Sequence, residues 1–230
     1  MRKAATSLGL TAGLAALVAT GAVEPAAARN RNKGEPGTGT ITLRVYDYAR
    51  MDRPELLAAE SEAATILAQA GVEARWVDCP TSEAELNNYP NCPSAWQAND
   101  FVLRLLPKAV DSRANWQDAL GSTPECGGVG ICTSSIFYDQ VAGLAQGGSA
   151  TLPVLLGRSM AHEIGHLLLG ANSHSRTGIM RAFWSGEELS LAARAYLLFT
   201  PEQSRQMRTR LAERTQAWQT GGKVASLGQR

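Results

Sequence analysis

Three histidines occur in the whole sequence, and all of them lie between residues 162 and 174. His162 and His166 stand four residues apart inside an apolar run, Thr151 to Leu169, that reads as a helix. That spacing puts both imidazoles on one helix face, where they can reach a single metal ion. Glu163 lies beside them, where a carboxylate can take a proton from a water held at the metal. An open site with histidine nitrogens and three protein ligands suits zinc best. Gly170 ends the helix and permits a sharp reversal, after which His174 can return as the third ligand. No packing requirement accounts for three histidines in so short a stretch.

The same residues demand a scaffold. Pro153 in the first turn and Gly170 just past the end frame the helix that carries His162 and His166. Ahead of it, Ile41 to Tyr46 alternates and is rich in β-formers, which predicts a strand. Asp52 with Glu55 three residues later has the pattern of a capping box, and Leu56, Leu57, Ala63, Ala64 and Leu67 then keep helical spacing until Gly71. Val72 to Val77 and Phe101 to Leu106 are two more strand candidates. Ser134 to Tyr138 is another, an edge strand able to pair with an extended substrate or an interior strand of the sheet. A Gly-rich turn follows around Gly147-Gly148. Ser185 to Glu188 is a second capping box opening a helix, and Thr200 to Gln203 opens the last one, which carries Met207, Leu211 and Trp218. There is no internal repeat. The pattern predicts one α+β domain over residues 40–220, preceded by a flexible lead-in over 29–39 and followed by a polar tail over 221–230.

Composition narrows the class. With 230 residues, 44% apolar and 19% charged, the chain can bury one proper core. A net charge of +1 supplies no basic face for nucleic acid, and 6% aromatic residues argue against a base- or sugar-stacking specialist. Arg2-Lys3, the apolar run Leu8 to Val23 and the small residues Ala26-Ala27-Ala28 predict a cleaved signal peptide over 1–28. Loss of Arg2, Lys3 and Glu24 with it leaves a mature net charge of zero. No later run is apolar enough to span a bilayer, so no stable membrane insertion is expected after cleavage. The expected location is secreted or periplasmic.

Export places the four cysteines in an oxidising compartment, where an even number reads as disulfides. Cys79 and Cys92 flank a Pro/Asn-rich loop, and Cys126 and Cys132 flank a Gly-rich one. Local pairing, Cys79 with Cys92 and Cys126 with Cys132, closes the shortest loops. Zinc ligation by all four would call for C-x-x-C pairs, and the sequence has none.

The stretch His162-Glu-Ile-Gly-His166-Leu-Leu-Leu-Gly170-Ala-Asn-Ser-His174-Ser175, followed by Gly178-Ile179-Met180, resembles the metzincin zinc endopeptidases. That family carries H-E-x-x-H-x-x-G-x-x-H and, downstream, a methionine turn beneath the zinc. The resemblance implies His162, His166 and His174 as ligands of Zn2+, Glu163 as general base, Gly170 as the turn and Met180 as the Met-turn residue. It also implies a zincin-like domain: a small twisted mixed sheet, an active-site helix, the Met-turn and a C-terminal helix. Two departures stand out. Gly170 follows His166 by four residues rather than three, and His174 follows it by eight rather than six. No tyrosine stands two residues after Met180. Met180 is alternatively an ordinary core methionine, and Arg181 to Trp184 either wall a specificity pocket or pack under the helix.

The gluzincin pattern offers a rival third ligand, a glutamate on a later helix, and Glu187 and Glu188 lie at a suitable distance. Both have local explanations, since Glu188 is the N3 partner of Ser185 and Glu187 favours the positive end of a helix dipole. The expected function is a secreted zinc-dependent endopeptidase acting on protein or peptide substrates. The alternatives are a non-catalytic zinc-stabilised binding protein and a zinc hydrolase of a non-peptide amide.

Overall fold

The computed structural model describes residues 37–108, 119–126 and 130–221. The predicted signal peptide lies outside the described residues, as do most of the lead-in and of the tail. Alternation in the first strand does what a two-residue period requires. Ile41, Leu43 and Val45 are buried on the helix-covered face of β1 (Gly39–Asp47), and Arg44 points to the other face. The strand starts two residues before Ile41, because Gly39 pairs with Val72 and its N–H donates to the Gly71 carbonyl at 3.0 Å.

Helix α1 (Arg53–Gln69) follows, with Pro54 in its first turn. Asp52 occupies the N-cap position but its side chain makes no cap bond, so the predicted capping box does not form. The chain returns through β2 (Val72–Cys79), crosses the cysteine-bounded loop with one 3-10 turn (Glu83–Asn88), and enters β3 (Asp100–Leu106). Then come β4 (Gly121–Ser122), β5 (Cys132–Phe137) and α2 (Tyr138–Gln146). Last are α3 (Leu152–Leu169), α4 (Gly186–Ala193) and α5 (Pro201–Gln219).

The sheet order is β2-β1-β3-β5-β4. The first four strands run parallel, and β4 pairs antiparallel with β5 through Gly121–Ile136 and Ser122–Ser135. The architecture is therefore a mixed sheet with helices, as expected. Ser134 lies on an interior strand, between β3 and the two-residue β4, and not on the sheet edge. Two elements escaped the sequence reading: β4, and the helix α2 that follows β5 directly.

Helix α3 is the keystone. Residues 155 to 169 are all buried, because the helix is packed on every side, its polar side chains included. It packs on α1, β5, α2 and α5. Arg158, 1% exposed, donates to the Leu197 carbonyl at 2.7 Å and to Glu62 of α1 at 2.5 Å, fixing α3 between two neighbours. On the other face of the sheet, Arg44 holds the cysteine-bounded loop. It donates to Asp100 at 2.9 Å and to the Ser94 carbonyl at 3.0 Å, and it stacks on Trp96. The disulfides join Cys79 to Cys92 and Cys126 to Cys132, as expected. No helix among the described residues is long and apolar enough to cross a membrane.

Candidate metal centre

Two turns of α3 place His162 and His166 one above the other, and the return loop brings back His174. The helix stops at Gly170, whose φ of 101° lies in a region open to glycine, and the Gly170 N–H still reaches the His166 carbonyl at 2.8 Å. Ala171 to Ser173 then turn the chain over the end of the helix. The wider spacing after His166 is thereby absorbed, and His174 Nε2 comes to 3.1 Å from His166 Nε2. His162 Nε2 lies 3.1 Å from His166 Nε2 on the other side. One ring nitrogen from each of the three falls within 4.8 Å of the others.

The remaining ring nitrogens decide what this cluster is for. His162 Nδ1 donates to the Ile179 carbonyl at 2.7 Å, and His166 Nδ1 donates to the Gly170 carbonyl at 3.2 Å with Ser173 Oγ at 3.1 Å. A carbonyl only accepts, so both rings carry their proton on Nδ1 and turn a bare lone pair inward from Nε2. Lone pairs facing at 3.1 Å repel unless a cation lies between them. A tetrahedral zinc with bonds of about 2.05 Å separates its nitrogen ligands by about 3.3 Å, close to the 3.1 Å of the two neighbouring pairs here, and the histidine set suits that ion. The backbone bonds to Nδ1 are the outer-shell supports that such ligands use. Burial pushes His162 down to about 3 and also lowers His166 and His174, which favours the neutral ring that metal ligation needs.

Glu163 faces a different set of partners. Its carboxylate is 5% exposed and accepts from Thr123 Oγ1 at 2.6 Å, while Ser134 Oγ lies 2.7 Å from the same hydroxyl. Burial pushes the Glu163 carboxyl up to about 7, against the hydroxyl bonds that lower it. Gly121 makes room for this side chain, since a Cβ there would stand 2.7 Å from Glu163 Cγ. Met180 is fully buried, with its thioether against Gly165 on the back of α3. A cleft of about 700 Å³ opens over the histidines, walled by residues 119–123, by Gln140 and Leu144 of α2, and by Arg181 to Trp184. Phe183 is 72% exposed at its rim.

The two glutamates at 187 and 188 stay apart from this cluster. Glu188 takes the Ser185 N–H at 2.8 Å and the Ser185 hydroxyl at 2.6 Å, and it pairs with Arg181. Glu187 is exposed on α4. Sequence reasoning missed Thr123, Ser134, Gly121 and the Ile179 carbonyl. The only trace of them was the polar, small-residue run Gly121 to Thr123 and the serines of β5.

No protein-family model matches the sequence, and no curated protein matches it. Among solved structures, metalloproteinase-II from Bacteroides fragilis overlaps with a TM-score of 0.45 at 12% identity, over 77% of this chain and 55% of that one. The chain thus spans little more than half the length of that protein. Archaemetzincin from Methanopyrus kandleri overlaps with a TM-score of 0.43 at 13% identity, over 75% of this chain and 96% of that one. What defines the centre here is its own geometry: three converging imidazoles, a buried carboxylate one residue from the first of them, and an open cleft above.

Proposed function

We propose that this chain is a secreted, metzincin-like zinc endopeptidase. The observation that carries the reading is the convergence of His162, His166 and His174 on one point beside Glu163 at the floor of an open cleft. A site that served only to hold the fold together would be closed by a fourth side chain. Bound zinc supplies Lewis acidity, which acidifies a water and polarises the scissile carbonyl.

The chain's own groups do the rest. Glu163 takes the proton from the water as its oxygen adds to the carbonyl carbon. It then hands that proton to the amine nitrogen as the C–N bond breaks, which returns the carboxylate to its starting state. The Ile179 and Gly170 carbonyls and Ser173 keep the imidazoles aimed. The edge of β4 away from β5, unpaired among the described residues, can accept an extended peptide as a further strand, and Arg181 to Trp184 wall the cleft beside it. The signal-like residues 1–28 and the two disulfides support an exported protein.

The test is metal analysis of the purified protein with a degradation screen on unfolded protein substrates, repeated on Glu163→Gln. The expected result is zinc at one per chain in both proteins and hydrolysis lower by roughly 10²–10⁴-fold in the variant. Unchanged hydrolysis removes Glu163 as the base. Loss of zinc in the variant makes it part of the metal site instead.

A further inference from the structure

Glu163 owes its orientation to residues on another part of the chain. We propose that Thr123, backed by Ser134, is the positioning residue of the general base, fixing one carboxylate oxygen so that the other is presented to the cleft. The inference rests on Glu163 acting as the base.

A count of protons sets the direction of the bonds. Thr123 has one hydroxyl hydrogen and three acceptors in reach: Glu163 Oε2 at 2.6 Å, Ser134 Oγ at 2.7 Å and the Glu163 carbonyl at 3.2 Å. The charged oxygen at the shortest distance takes it. Ser134, fully buried on β5, then donates its own hydrogen to Thr123 Oγ1. The result is a chain from Ser134 through Thr123 to Oε2. Each bond polarises the next, and the Ser134 hydroxyl also acts on the Glu163 carboxyl directly.

Sterics act in the same sense. Gly121 presses the β4 backbone against the Glu163 side chain, since a Cβ at that position would meet Cγ at 2.7 Å and Cδ at 2.8 Å. A glutamate is therefore held by contact on one flank and by a hydroxyl at its tip, with most of its rotamers removed. A lysine or arginine in place of Thr123 would orient the carboxylate equally well but would hold it ionised and weaken it as a proton acceptor. A neutral hydroxyl lowers the carboxyl too, but burial outweighs it and the carboxyl stays raised. The register of β4 on β5 sets Ser122 opposite Ser135, which brings the next residue, Thr123, alongside Ser134. The Cys126–Cys132 disulfide ties the two segments together just beyond.

Thr123→Val keeps the shape and removes the hydroxyl, and Thr123→Ser restores it. The measurements are kcat and KM on a fluorogenic peptide that the wild type cleaves, zinc affinity by chelator competition, and a crystal structure of the zinc-free variant. Expected for Thr123→Val are a kcat lower by roughly 10–100-fold, as for other outer-shell supports, KM within about twofold and unchanged zinc affinity. The Glu163 carboxylate should occupy more than one rotamer. Thr123→Ser should recover most of the kcat, and Ser134→Ala should lose several-fold. Wild-type kcat in Thr123→Val overturns the proposal, as does a single undisturbed Glu163 rotamer, or a Thr123→Ser protein as slow as the valine one. Should the valine variant fail to fold, Ser134→Ala decides, and a wild-type kcat there overturns it. An inactive Glu163→Gln beside a fully active Thr123→Val would sink this inference alone, whereas an active Glu163→Gln would sink the underlying reading.

Discussion

Met180 lies directly behind Gly165, with its thioether sulfur nearest to the place a Cβ at 165 would take and the Phe199 ring next to it. The back of the helix that carries His162, Glu163 and His166 is thus braced by a methionine that is wholly shielded from solvent. Only a residue without a side chain lets the two approach so closely, so the glycine of H-E-I-G-H has a packing reason.

Gly165→Ala sets two effects against each other. A helix interior gains up to about 1 kcal/mol from replacing glycine by alanine. Overpacking against buried neighbours costs about 1–3 kcal/mol, and Met180 and Phe199 both belong to the core. The collision wins. Urea unfolding of the zinc-free protein should show Gly165→Ala less stable by roughly 1–2 kcal/mol, and Met180→Leu nearly neutral. An alanine variant more stable than wild type would mean that Met180 does not brace the helix.

The proposed third ligand is where this sequence departs most from the metzincin pattern it resembles; His174 Nε2 lies 3.1 Å from His166 Nε2, while Glu188 caps α4. His174→Ala should weaken zinc binding sharply in chelator competition. Glu187→Ala and Glu188→Ala should keep wild-type metal content. Glu188→Ala should instead cost about 1 kcal/mol of stability, as a broken helix cap does. Tight zinc in the His174 variant with loss of zinc in a glutamate variant would reverse the ligand assignment.

The helix with its histidines could be read from the sequence because everything it needs is local: apolar spacing, a proline at one end, a glycine at the other, and two histidines a turn apart. The surroundings of Glu163 could not be read. Thr123 is 40 residues away along the chain, and only the pairing of a two-residue strand brings it close. Gly121 and Ser122 carry no periodicity that a strand pattern could detect. Tyr138 misled in another way: as a β-former after Phe137 it reads as the end of a strand, yet it begins α2, a helix with only Val141 fully buried. The Asp52 capping box failed for a simpler reason. Its residue types are right, but the Asp52 side chain makes no bond to the first turn.

Glu60 gives the fold a pH dependence of its own, away from the histidines. It lies on α1 with 5% exposure, and its Oε1 is buried with no hydrogen-bond partner. Burial first, and then the negative charge of Asp78, push its carboxyl up to about 7, against the pull of Arg53. In the unfolded chain the same group titrates near 4.3. Below that value both states are protonated and the full stability is present. As pH rises from about 4.3 to 7 the unfolded chain ionises while the folded one resists, and stability is lost by an amount on the order of 3 kcal/mol. Glu60→Gln cannot ionise and should escape this loss. Urea midpoints at pH 5 and pH 8 should therefore diverge: the variant close to wild type at the lower pH and clearly more stable at the higher. Taking the difference between the two proteins removes the contribution of every other titrating group. Equal midpoints at both values would show that Glu60 ionises freely in the folded protein and that its burial carries no electrostatic cost.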